Sequence, residues 1–198
     1  NPEASATRAQ GAYIDQLRRV SHDETHMARL LGCLFGGAVG DGFGFTVEFH
    51  QLAQIRERFG PAGLLEPELR GGRLVVSDDT QMTLFTGAGL IQALQRNAKK
   101  LDLVTPAIRE AYLQWYMTQR RGPPKPLPVD GLLQYAELWK QRAPGNTCIS
   151  ALSRGGRGML DAPINDSKGC GGVMRTAPIG LLRALTIDEA FALGAEAA

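Results

Sequence analysis

The sequence predicts an all-α fold. Apolar residues recur at helical spacing in one segment after another, the segments open on capping residues and close on glycine or proline, and alternating strand patterns are almost absent. With 198 residues, 43% hydrophobic, the chain is large enough for one domain with a sizeable core.

The first helix is expected to begin near Ser21, where Glu24 completes a capping box, and to carry Met27, Leu30, Leu31, Leu34 and Ala38 on one face. Gly32, Gly36 and Gly37 within it lower helix propensity, so close approach of another backbone is their expected use. Its expected end is Gly40-Asp41-Gly42. Leu52, Ile55 and Phe59 form a shorter stripe stopped by Gly60-Pro61, and residues 63–72 read as loop. Leu74, Val75 and Val76 lead in extended form to Ser77-Asp78-Asp79-Thr80. A helix with Met82, Phe85, Leu90, Ile91 and Leu94 follows, apolar enough to be buried.

Thr105-Pro106 places a hydroxyl before a proline suited to the first helical turn, and Ile108, Tyr112, Trp115 and Gln119 continue the period. The proline-rich stretch 122–128 ends that helix. Further helices are expected over Leu132 to Lys140, from Asn146 or Thr147, near Pro178 and near Thr186, where Glu189 makes a second capping box. Residues 155–176 are glycine-rich and without period. Residues 1–20, with only Ala12, Ile14 and Leu17 as an apolar stripe, read as an N-terminal extension ahead of a domain over 21–198.

Lys and Arg total 22 against 20 Asp and Glu, a net charge of +2, which excludes nucleic-acid or membrane binding driven by bulk charge. Three cysteines, Cys33, Cys148 and Cys170, form no CxxC pair and leave an odd thiol, which favours a reducing cytoplasm over a disulfide framework. No apolar run is long enough for a membrane span.

Ser77-Asp78-Asp79 combines a hydroxyl and two carboxylates at a helix start, an all-oxygen set that suits Mg²⁺, Mn²⁺ or Ca²⁺ rather than Zn²⁺. The same residues also serve ordinary N-terminal capping. Gly169-Cys170-Gly171-Gly172, between Lys168 and Arg175, lets backbone N–H groups approach a phosphate, and reads equally as a surface turn. His22 and His26 lie four apart but lack a third ligand and read as exposed histidines, and His50 is isolated.

Taken in order, Gly32-Cys33-Leu34-Phe35-Gly36-Gly37-Ala38-Val39-Gly40-Asp41-Gly42-Phe43-Gly44 with Val47-Glu48-Phe49, then Ser77-Asp78-Asp79-Thr80-Gln81-Met82, then Pro144-Gly145-Asn146-Thr147 with the run from Asn165 to Pro178, resemble the ADP-ribosylglycohydrolase family. The resemblance covers residues 27–182 and implies a helical bundle that hydrolyses the N-glycosidic bond between ADP-ribose and a modified side chain, arginine above all. It implies two Mg²⁺ ions, held in part by Ser77, Asp78 and Asp79, with Glu48, Asp78 and Asp79 as catalytic groups and an ADP-ribosylated protein as partner. It assigns substrate binding to Gly40, Asp41, Lys168, Gly169, Cys170, Gly171, Gly172, Met174 and Arg175.

One departure bears on the metal. The family's later Asp-x-Asp-Thr/Ser segment is absent from these 198 residues. The chain is therefore expected to be the N-terminal part of a bundle completed by a further or separate segment. The alternative expectation is an inactive ADP-ribose-binding or structural protein of the same fold.

Overall fold

A computed structural model describes residues 24–96, 103–183 and 185–198. The expected N-terminal extension, the helix start at Ser21 and His22 lie outside the described residues. Among the described residues, seven α-helices carry the fold: α1 (Glu24–Phe45), α2 (Leu52–Phe59), α3 (Asp78–Gln95), α4 (Val104–Arg120), α5 (Asn146–Ser153), α6 (Ala177–Gly180) and α7 (Ile187–Ala197). A two-residue antiparallel pair, β1 (Leu69–Arg70) and β2 (Arg73–Leu74), is the only sheet among the described residues.

The core is the crossing of α3 and α4. Met82, Phe85 and Leu90 of α3 meet Ile108, Ala111 and Trp115 of α4, and Cys148, Leu152, Ile179 and Leu193 close over them. The two helices approach closely at Gly89, where an added Cβ would lie 2.5 Å from Ile108 Cα. A buried polar layer also joins them: Trp115 Nε1 donates to Gln81 Oε1 at 3.1 Å, Gln81 Nε2 donates to the Lys140 carbonyl at 3.0 Å, and Thr86 and Tyr112 hydroxyls pair at 2.7 Å. Each of these bonded atoms has a partner that offsets its lost hydration, whereas Gln119 Oε1 beside them has none.

Two of the predicted caps form as read. Ser77 accepts from Asp79 N–H, and Thr186 with Glu189 forms a reciprocal capping box at the start of α7. Four expectations are corrected. α1 runs through Gly40-Asp41-Gly42 to Phe45, because Gly42 packs directly under Leu74 and leaves no room for a turn, a Cβ there falling 2.5 Å from Leu74 Cγ. α4 begins at Val104 with Leu103 at the cap and no capping side chain, so Thr105 is inside the helix. Leu132 to Lys140 is not an α-helix but two 3₁₀ turns, Leu132–Gln134 and Ala136–Trp139, because Trp139 Nε1 bonds back to the Leu133 carbonyl at 2.9 Å. His26 is buried rather than exposed.

The glycines of α1 are also not used as expected. A Cβ at Gly32, Gly36 or Gly37 would meet nothing within 4 Å, and Met27, Leu31, Phe35 and Val39 on the same helix are exposed. No helix among the described residues is long and apolar enough to cross a membrane.

Candidate active site

The acidic cluster is assembled by three segments distant in sequence. The turn after α1 brings Glu48, α1 itself brings Asp41, and the first turn of α3 brings Asp78 and Asp79. Asp41 reaches across to α3, where its carboxylate accepts from Ser77 N–H at 2.9 Å, Thr80 N–H at 3.1 Å and the Thr80 hydroxyl. These are among the backbone donors that a helix start leaves without intrahelical partners. Asp41 therefore fixes the position of the Ser77-Asp78-Asp79 turn as well as bordering the cleft.

Asp78 is fastened separately. Its N–H donates to the Arg142 carbonyl at 2.8 Å, and its Oδ2 accepts from Gly145 N–H at 3.2 Å. Burial pushes its carboxyl up to about 6, the Gly145 N–H opposes this, and the charges of Asp79 and Glu48 add to it. Burial and then the Asp41 charge raise Asp79, against the Ser77 hydroxyl. Burial, Asp79 and Asp41 in that order raise Glu48. Crowded carboxylates without a cation bind protons more readily than free ones, and a hard divalent ion would relieve that repulsion. The donor chemistry fits such an ion, but as part of a shell: no group of three or more His, Cys, Asp or Glu among the described residues converges as a complete site.

Two clefts meet at this cluster. The smaller, about 530 Å³, lies between α1 and the start of α3 and is bordered by Gly40, Asp41, Ser77, Asp79, Glu48, Cys170 and Met174. The larger, about 1090 Å³, runs from Glu48, Asp78 and Asp79 past Gly169, Cys170, Gly171 and Gly172 to Met174 and Arg175, with α4, α5 and α7 as its far walls. Lys168 is exposed and borders neither cleft.

The glycine loop is seated on the core rather than suspended. A Cβ on Gly171 would lie 2.8 Å from the buried Cys148 Sγ, and none of Gly169, Gly171 and Gly172 has a positive φ. Close packing, not left-handed backbone, is what calls for glycine at position 171. Thr83 of α3 ties the following turn down by donating to the Met174 carbonyl at 2.9 Å. Arg175 is buried at 8% exposure; its guanidinium stacks over Tyr112 at 4.7 Å and approaches Cys148 Sγ at 3.5 Å. It forms the floor beneath the loop.

Asp41's bonds to α3, the Gly145 N–H, Thr83 and the Tyr112 seat of Arg175 were not legible from residue order. Their contacts span 36, 67, 91 and 63 positions and leave no local pattern. Replacing Asp41 with Ala is expected to cost about 2–3 kcal/mol, because charge-assisted bonds to the α3 start are lost and their donors are left half-buried. Asp41→Asn, which keeps an acceptor oxygen, should lose less. A melting temperature for Asp41→Ala within a degree of wild type would contradict this role.

A family model described as ADP-ribosylglycohydrolase matches residues 22–198. The ADP-ribosyl-[dinitrogen reductase] glycohydrolase of Rhodospirillum rubrum is 30% identical over 161 residues, covering 77% of this chain and 44% of that protein. The chain thus spans less than half the length of this curated relative. No solved structure matches.

Proposed function

The chain belongs to the ADP-ribosylglycohydrolase family, and on that premise we propose that it forms one wall of a site that hydrolyses the N-glycosidic bond of an ADP-ribosylated protein, with arginine as the modified residue and Mg²⁺ as cofactor. The observation that carries the reading is the convergence of Glu48, Asp78 and Asp79 at one end of the cleft that the glycine loop borders. Ser77, Asp78 and Asp79 would hold part of the Mg²⁺ shell, and bound Mg²⁺ supplies orientation of ribose hydroxyls and a water of lowered pKa.

Cleavage at the anomeric carbon breaks a C–N bond, forms a C–O bond to water and delivers a proton to the departing nitrogen. An oxocarbenium-like centre gains from nearby negative charge, which Asp78 and Asp79 provide. Glu48 is the proton-exchanging group in this reading. Glu48 borders both clefts, and its raised pKa keeps it protonated to higher pH than a free glutamate, so that it has a proton to give. Asp78, by contrast, is committed to Gly145 N–H. The 169–172 loop offers backbone for the diphosphate.

The partial carboxylate set favours a second reading, an ADP-ribose-binding protein without turnover. The two separate on intact mass of an arginine-ADP-ribosylated protein incubated with the full-length protein. The hydrolase reading expects loss of one ADP-ribose per modified arginine, with serine-linked ADP-ribose released more slowly. Binding of ADP-ribose with no mass loss would replace it with the second reading.

A further inference from the structure

The expected cations for the substrate's anionic portion, Lys168 and Arg175, do not stand free in the larger cleft: Lys168 borders neither cleft, and Arg175 is 8% exposed beneath the glycine loop. A different arginine does. After α5 the chain reverses through Gly155 and Gly156, whose φ values of +92° and +56° lie in the left-handed region that side chains disfavour. Arg109 of α4 holds this turn by donating from Nε to the Gly155 carbonyl at 2.7 Å. Gly156 packs so closely that a Cβ would fall 2.9 Å from Leu152 Cδ2.

The turn delivers Arg157, which is exposed, borders the cleft and has its Nε 3.9 Å from where a Gly155 Cβ would sit. Its guanidinium thus lies back over the turn that carries it. Neither ion pair among the described residues involves it. The acids bordering the same cleft are Glu48, Asp78 and Asp79 at one end and Glu189 and Glu196 beside α7, and the Glu189 carboxylate is already held by Thr186. Two left-handed glycines, a tether and a tight contact fix the base of a cation that no ion pair among the described residues uses.

Resting on the hydrolase reading above, we propose that Arg157 is the diphosphate-binding residue of the larger cleft, its guanidinium pairing with phosphoryl oxygens while the glycine loop contacts them through backbone. A planar guanidinium offers two parallel donors to a phosphate, and the glycine turn spends none of them. Arg109, with Nε engaged, acts as the positioning residue for the turn.

Calorimetric titration of the full-length protein with ADP-ribose, and with adenosine, which lacks phosphate, tests this. Arg157→Met is expected to weaken ADP-ribose binding about 10-fold or more, the scale of a charge-assisted hydrogen bond. Adenosine affinity should not change, and Arg157→Lys should recover part of the loss. Arg154→Met, an exposed arginine that borders neither cleft, should bind as wild type does. ADP-ribose affinity in Arg157→Met within twofold of a wild type that binds overturns the assignment alone and leaves the hydrolase reading standing. Equal loss for adenosine and ADP-ribose overturns it as well, because the arginine would then be shaping the cleft and not meeting phosphate. A wild-type protein that binds no ADP-ribose with Mg²⁺ present overturns both.

Discussion

Asp79→Ala in the full-length protein is expected to cut ADP-ribose release by about 10³-fold, the scale seen when one preorganised electrostatic contributor is removed, while leaving the helical fold intact. The fold should survive because Ser77 still caps α3 and Asp41 still accepts from Ser77 and Thr80. Removing one of several crowded carboxylates also relieves repulsion that raises Glu48 and Asp78. Asp79 is a cleaner probe than Asp78. Truncating Asp78 strips the Gly145 N–H of its acceptor and would mix lost catalysis with a displaced 142–145 segment. Activity within a few-fold of wild type in Asp79→Ala would remove this carboxylate from the reaction. A large fall in helical circular dichroism would show that its main duty is to start α3.

Gly89→Val is expected to prevent stable folding. Its Cβ would meet backbone, not a side chain that can rotate away: Ile108 Cα at 2.5 Å, Ile108 N at 2.9 Å and the Ala107 carbonyl at 3.0 Å. Relief requires α3 and α4 to separate along the crossing that buries Phe85, Ile108 and Trp115, and overpacking of this kind costs about 3 kcal/mol or more. Gly89→Ala should gain about 1 kcal/mol of helix propensity and still lose stability on balance. Gly87→Ala provides the comparison. A Cβ there meets nothing within 4 Å, so the propensity gain should appear as an equal or higher melting temperature. If Gly89→Ala melted at or above Gly87→Ala, the close approach of the two helices would be wrong.

Sequence signals and structure agree where the physics is local. Ser77 at the start of α3, the Thr186–Glu189 box of α7, the onset of α5 at Asn146 and the stop of α2 at Gly60 each depend on residues within one turn of one another. They part where a distant segment decides. The glycines at the end of α1 carry a stop signal, but Asp41 is held by the start of α3 and Gly42 is covered by Leu74, so the helix continues. The Leu132 to Lys140 stretch has helical spacing, yet Gly131 at φ +61° and the Trp139–Leu133 bond fold it into tighter turns.

The site was legible in parts. Its acids and its glycine loop stand out as residue types, and the large cleft does bring Glu48, Asp78 and Asp79 together with residues 169–172. What each glycine and cation does was not legible. Gly171 is required by a thiol beneath it and Arg175 by an aromatic ring, both contributed by other helices. Arg157 gave no sequence signal beyond two preceding glycines, because its place in the cleft follows from the Arg109 tether 46 positions away from the carbonyl it holds.

If the acidic cluster works with Mg²⁺ on a glycosidic bond in the glycine-loop cleft, hydrolysis depends on that ion. The decisive measurement is the time course of free ADP-ribose release from an arginine-ADP-ribosylated protein by the full-length protein, with saturating Mg²⁺ and with the metal removed by EDTA. The expected result is turnover with Mg²⁺, loss of turnover on chelation and its return when Mg²⁺ is restored. Release at the same rate in EDTA, by protein shown to be metal-free, would contradict it.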